Sequence, residues 1–187
     1  MKILLIGATG AIGRLIQPAL QIDHDVISVG RSNGDILADI SAITDIRHLF
    51  KRSGKVDAII CVAGSSVTGE LDAMDITGYE AGIQQKLLSQ INLVLIGLNY
   101  VNDNGSITLI SGKIGESPVK GSSGKAVPNG AVNSFVKAAA LEMPRGIRLN
   151  AISPAKISDI PANDLVLAYI KSIESKLNGA IIRIGYK

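Results

Sequence analysis

One cysteine, no tryptophan, two histidines and no run of like charge mark what this 187-residue chain lacks. Cys61 alone can form neither an internal disulfide nor a thiolate cluster for a metal, which suits a reducing cytoplasm. His24 and His48 lie on separate segments without ligand spacing and are expected at the surface near helix ends; no HExxH or EF-hand pattern accompanies them, so no metal is expected. Serines crowd the stretch from Gly112 to Gly130 with no histidine beside them, which argues against a Ser-His-Asp hydrolase. The 19 Lys and Arg against 16 Asp and Glu leave a net charge of only +3. That charge is scattered, and with no tryptophan as a stacking platform it points to no nucleic acid. The opening MKILLIGATG has only a short apolar run, a strand rather than a signal peptide or membrane span, so no membrane partner is expected.

What is present is an ordinary globular composition, 47% hydrophobic and 19% charged, of a size that suits one core. Short β-rich runs alternate with helical ones, which predicts an α/β fold: a doubly wound parallel sheet with helices on both faces, Rossmann-like, formed by residues 1–187 as a single domain. Strands are expected at Lys2 to Ile6, Asp25 to Val29, Ala58 to Val62, Ser106 to Ile110, Arg148 to Ile152 and Ala180 to Ile184. Helices are expected at Ile12 to Ile22, Ile43 to Lys51, Tyr79 to Leu98, Ala131 to Met143 and Asn163 to Leu177. Pro18 should kink or shorten the first, and Lys113 to Gly130 reads as a loop.

Between the first strand and first helix stands Gly7-Ala8-Thr9-Gly10-Ala11-Ile12-Gly13. Glycine there lets backbone approach a pyrophosphate closely, and the first N–H groups of the helix have no internal partners and bind phosphate oxygens. The second strand ends in Val29-Gly30-Arg31-Ser32 with no acid at its tip. Arg31 can pair with a 2′-phosphate while Ser32 and Asn33 add hydrogen bonds and Arg14 a second cation, which favours NADP(H) over NAD(H).

Residues 106–154, SITLISGKIGESPVKGSSGKAVPNGAVNSFVKAAALEMPRGIRLNAISP, resemble the catalytic half of a short-chain dehydrogenase/reductase. Ala140, Leu141, Glu142, Pro144 to Ala151, Ser153 and Pro154 reproduce that family's "ALE.APRGIRVNAVSPG" phrase, apart from Leu149. The resemblance extends to the glycine turn, although Ala11 stands where most members have a middle glycine. It extends also to Asp39-Ile40, where the family's acid meets the adenine amine and the apolar residue packs on the ring; to Ala63-Gly64 of Cys61-Val62-Ala63-Gly64, in the place of NNAG; and to Pro154-Ala155-Lys156-Ile157, the turn that holds the nicotinamide carboxamide. The implied cofactor residues are thus Gly7, Thr9, Gly10, Ala11, Ile12, Arg31, Ser32, Asp39, Ile40, Ala63, Gly64, Pro154, Ala155 and Ile157. Cys61 itself is expected to be a small buried hydrophobe.

The catalytic positions depart from the family. Its tyrosine falls on Lys125, its lysine on Asn129, its serine on Gly112 with Ser111 one place early, and its asparagine on Lys86. Lys125 is expected as a loop charge and Asn129 as a helix-start residue. Two functional classes follow: an NADP(H)-dependent oxidoreductase acting on a small carbonyl or alcohol, with Ser111, Lys86 and Lys125 as unconventional participants, or a non-catalytic dinucleotide-binding sensor or partner-binding module. In the first case, mutual repulsion and burial must lower the pKa of a lysine. The chain passes from Ile157 to its last helix within a few residues, so the family's substrate lid is nearly absent. The apolar helices at Tyr79 to Leu98 and Ala131 to Leu141 are those that family dimers pack together, which predicts a homodimer or higher homo-oligomer.

Overall fold

Alternation of apolar residues along the first strand decides how the layers form. The computed structural model describes residues 1–186. In β1 (Lys2–Ile6) Ile3 and Leu5 point to one face and Leu4 and Ile6 to the other, and all four are buried. A strand apolar on both sides needs a cover on each. Helices α1 (Ala11–Asp23) and α6 (Ala162–Glu174) supply one, through Ile16, Leu20, Leu165 and Tyr169. The other comes from α2 (Ile43–Ser53), α4 (Ser89–Gly97) and α5 (Ser123–Ala139), through Leu49, Phe50, Leu93, Val132 and Val136.

The remaining strands are β2 (Asp25–Gly30), β3 (Ile36–Leu37), β4 (Val56–Cys61), β5 (Val101–Ile110), β6 (Arg148–Pro154) and β7 (Ile181–Ile184). All seven are parallel, in the order β3-β2-β1-β4-β5-β6-β7. Because β1 neighbours both β2 and β4, the chain winds outward in two directions from it, and a crevice opens at the carboxyl ends of β1 and β4.

Five expectations need correction. Pro18 does not shorten α1, which runs through it to Asp23. The stretch expected as one helix at Tyr79 to Leu98 is α3 (Ile76–Gly82), a π-helical segment (Ile83–Leu88) and then α4. The two-residue strand β3 has too few residues to give a pattern. Helix α5 begins at Ser123, eight positions before the expected start, so Lys125 and Asn129 are helical rather than loop and helix-start residues. The N–H groups of Lys125 and Ala126 both bond the Ser122 carbonyl, closing a first turn that the local Gly, Ser and Pro content disfavours. His24 is not a surface residue: its side chain is 9% exposed and its Nε2 lies 3.5 Å from Glu174 Oε1.

Tyr169 is fully buried in α6, and among the described residues its hydroxyl has no hydrogen-bond partner. An unsatisfied buried hydroxyl costs about 1–3 kcal/mol. Tyr169→Phe is therefore expected to raise the unfolding free energy by about 1 kcal/mol in urea denaturation; a loss of stability would contradict the assignment.

Candidate functional site

The turn after β1 is shaped by what cannot fit in it. Gly7 adopts φ +88°, and a Cβ there would lie 3.0 Å from the Ala63 nitrogen and 3.1 Å from the Ala63 Cβ. A Cβ on Gly13 would lie 2.3 Å from the Gly7 carbonyl oxygen. Glycine at these two positions thus lets the end of β1, the end of β4 and the start of α1 converge. The N–H groups of Gly7 and Ala8 donate to the Val29 carbonyl, whereas those of Ala11, Ile12 and Gly13 make no backbone hydrogen bond. No side chain caps α1 and no acid stands in its first turn. Its partial positive charge faces outward, as an anion requires. Arg14 does not extend that charge freely, since its Nε donates to the Thr9 carbonyl at 2.8 Å.

A cavity of about 320 Å³ lies over this turn. Gly7, Thr9 and Gly10 form its floor, Arg31 and the Asp39-Ile40 pair one wall, and Ala63 and Gly64 the other. The structure thus gathers most of the expected cofactor residues, while Ala11 and Ser32 are exposed and outside the lining of either cavity described here. Asp35, the acid nearest the tip of β2 in sequence, is exposed but committed to the strand: its Oδ2 accepts hydrogen bonds from the Ser28 N–H and hydroxyl, which hold its carboxyl below the usual range. Hydrogen bonds from the Ser41 N–H and hydroxyl do the same to Asp39, with Arg31 adding a smaller electrostatic pull. Arg31 itself is exposed and pairs with no carboxylate among the described residues.

A second cavity of about 1240 Å³ adjoins the first, sharing Val62, Gly64 and Ser65 with it. Ile12, Pro154, Ala155 and Ile157 line one side, and Ser111, Lys86, Lys125 and Asn129 line another. Lys86 belongs to the π-helical segment and is 5% exposed. Its stem packs on Gly64, where a Cβ would lie 3.1 Å from Lys86 Cγ. Burial pushes its amine down to about 8, with Cys61 opposing that shift and Lys125 reinforcing it. Cys61 is buried, and burial pushes its thiol up to about 11, so it is neither a thiolate nor a ligand.

Lys125 and Asn129 lie one turn apart on α5. The Asn129 Nδ2 donates to the Lys125 carbonyl at 2.7 Å, and its Oδ1 is buried without a partner among the described residues. A Cβ on Gly112 would come within 3.2 Å of that oxygen. Ser111 sits at the end of β5, where its N–H bonds the Ile152 carbonyl at 2.9 Å and its hydroxyl reaches the same oxygen at 3.4 Å.

Two contributors escaped sequence reasoning. Gln90 is fully buried; its Nε2 donates to the Lys86 and Ile110 carbonyls and its Oε1 accepts from the Ile110 N–H, tying the π-helical segment to the end of β5. Tyr186 lines the larger cavity, hydrogen-bonded to Ser153 at 2.7 Å and lying under the Lys113 ammonium, 5.3 Å from the ring centroid. Being isolated near the chain end, it gave no signal. No group of three metal-ligating side chains and no helix long and apolar enough to cross a membrane occur among the described residues.

The glycine turn at a topological switch point defines a Rossmann-like dinucleotide-binding class of fold. A family model described as enoyl-(acyl carrier protein) reductase matches residues 22–174. The chain belongs to the short-chain dehydrogenase/reductase family, of which it is a short member. The structure of the protein lin1944 from Listeria innocua superposes with a TM-score of 0.94 at 38% identity, over 100% of both chains. A small-chain dehydrogenase superposes with a TM-score of 0.89 at 28% identity, over 98% of this chain and 95% of that one. A small-chain dehydrogenase in complex with NADPH gives 0.85 at 26%, with the same coverage. No curated protein sequence matches significantly.

Gly10 offers a cleaner probe of the turn than Gly7, whose positive φ would strain any side chain. Its φ of −79° suits any residue, and a Cβ there meets only the Gly7 carbonyl oxygen, at 3.2 Å. Gly10→Val is expected to leave the fold intact by circular dichroism and to weaken dinucleotide binding by roughly tenfold or more in calorimetry, about 1.4 kcal/mol.

Proposed function

We propose that the protein is an NADP(H)-dependent oxidoreductase acting on a small carbonyl or alcohol, with Lys86 as the acid/base in place of a tyrosine. The observation that carries this reading is a buried lysine that pairs with no carboxylate among the described residues and opens onto the larger cavity. An unpaired buried cation is costly, and burial relieves the cost by favouring the neutral amine. An amine near 8 can both give and take a proton near neutral pH. The same fold bound to NADPH in a relative supports the cofactor.

When bound, the dinucleotide supplies or accepts hydride. The free N–H groups of α1 would bind its diphosphate, Arg31 its 2′-phosphate, and Asp39 with Ile40 its adenine. Pro154, Ala155 and Ile157 would border the nicotinamide. In the reducing direction the Lys86 ammonium donates a proton to the carbonyl oxygen, and Ser111 orients that oxygen. Lys125, close enough to depress the amine further, tunes the step rather than performing it. Exposed Leu88 and Leu95 on one helical stretch and Val127 and Leu141 near α5 fit a homodimer. The second reading, a binding module without turnover, draws on Lys125 and Asn129 standing where the family has its tyrosine and lysine.

Lys86→Met is expected to lower kcat by roughly a hundredfold to ten-thousandfold while leaving NADPH affinity unchanged. Because the acid form is needed for reduction, wild-type kcat should fall as pH rises through about 8, and the oxidation rate should rise over the same range. A pH-independent rate, or full activity in the variant, removes Lys86 from the chemistry. The decay of NADPH fluorescence with a panel of aldehydes, ketones and quinones separates the enzyme from the silent module. Arg31→Ala is expected to erase most of a preference for NADPH over NADH, a charge-assisted contact worth roughly tenfold to a hundredfold; equal wild-type affinities in calorimetry would refute the cofactor assignment.

A further inference from the structure

The larger cavity concentrates a charge that the chain as a whole does not carry. Lys86, Lys113, Lys120, Lys125 and Lys156 line it, with Asp159 as the one carboxylate among the described residues. Lys120 is paired with Glu70 at 3.3 Å; the other four have no carboxylate partner among the described residues. Lys113 is held over the Tyr186 ring, and its segment is fixed by the fork of Arg183 on Glu116, whose two hydrogen bonds measure 2.7 and 2.8 Å. None of these lysines lines the smaller cavity over the glycine turn, where Arg31 is the cation. Placing unpaired cations around a buried one raises the energy of the empty site, which an anionic ligand relieves.

We infer that the ligand of the larger cavity is an anion, a carbonyl compound bearing a carboxylate or phosphate whose charge is met by Lys113 and Lys125 while its carbonyl reaches Lys86. The inference rests on the reading of this cavity as the substrate site. It assigns Lys113, in the short helical turn Lys113–Gly115, and Lys125 on α5 to recognition and leaves the proton step to the buried Lys86. A neutral carbonyl compound of the same shape gains none of these charge-assisted contacts.

The test is a matched pair of alcohols that cannot be reduced, 4-(hydroxymethyl)benzoate and its methyl ester, titrated into protein saturated with NADPH and followed by calorimetry at low salt. The free acid is expected to bind on the order of tenfold or more tighter than the ester. Lys113→Gln/Lys125→Gln should abolish that difference, and added salt should diminish it. Equal affinities, a tighter ester, no binding of either, or a preference unchanged in the double variant overturns the inference. Turnover is read separately with 4-carboxybenzaldehyde, its methyl ester and 4-formylphenyl phosphate, the last distinguishing carboxylate from phosphate recognition. An acid-selective site that reduces none of them refutes the oxidoreductase and keeps the anion; turnover without acid selectivity does the reverse.

Discussion

The ends of β1 and β4 approach so closely that a Cβ on Gly7 would sit 3.0 Å from the Ala63 nitrogen. That contact fixes the crevice in which everything else is arranged. A side chain at Gly7 would push β4 away, and Val62, Gly64 and Ser65, which border both cavities, lie directly beyond its end. Gly13 applies the same constraint from the helix side by seating α1 on the turn. With α1 pressed there, its unpaired N–H groups face the crevice instead of being covered by a cap. The exposed N–H groups of the helix and the close strand packing are therefore linked by one steric limit.

Lys86 depends on a second constraint. A buried ammonium needs a rigid frame, since a flexible one would let the long side chain reach water. The π-helical segment carries it over Gly64, and Gln90 clamps the carbonyl of Lys86 to the end of β5 with three hydrogen bonds. Gln90 is wholly buried, and its amide is satisfied by the Ile110 N–H and carbonyl at the strand end and by the Lys86 carbonyl. That arrangement places Ser111 and Lys86 in the lining of one cavity. Burial in that frame is also the larger cause of the fall of the Lys86 amine toward neutral pH.

The sheet was legible because buried parallel strands advertise themselves as short apolar runs, and β1 was bounded to the residue by Lys2 and the glycine turn. The start of α5 was not, since Gly124, Pro128 and the serines before them argue locally for a loop. Tertiary packing overrides that preference: the Gly124 carbonyl lies against Gly82, and a Cβ on Gly115 would come within 2.6 Å of the Gly130 nitrogen. The π-helical segment was hidden for a different reason, because one extra residue per turn shifts the faces of an already apolar helix without erasing the helical pattern. The residues around the glycine turn could be anticipated because their spacing follows from backbone geometry. The contributions of Gln90 and Tyr186 follow from contacts distant in sequence, which one-dimensional spacing does not encode.

Gly112 and Asn129 bear on how the catalytic positions depart from the family as a set. The space beside Gly112 ends at the Asn129 Oδ1, 3.2 Å from where a Cβ would stand. A serine at 112 would press on that amide, whose nitrogen is already committed to the Lys125 carbonyl and whose helix is seated on the backbone of Gly115. A side chain at 112 therefore requires the Asn129 amide to give way or to be replaced. Lys125 precedes Asn129 by one helical turn, so a shift of that part of α5 would also move the cation that reinforces the low pKa of Lys86. The contact between residues 112 and 129 and the electrostatic effect of Lys125 on Lys86 thus meet on one turn of α5.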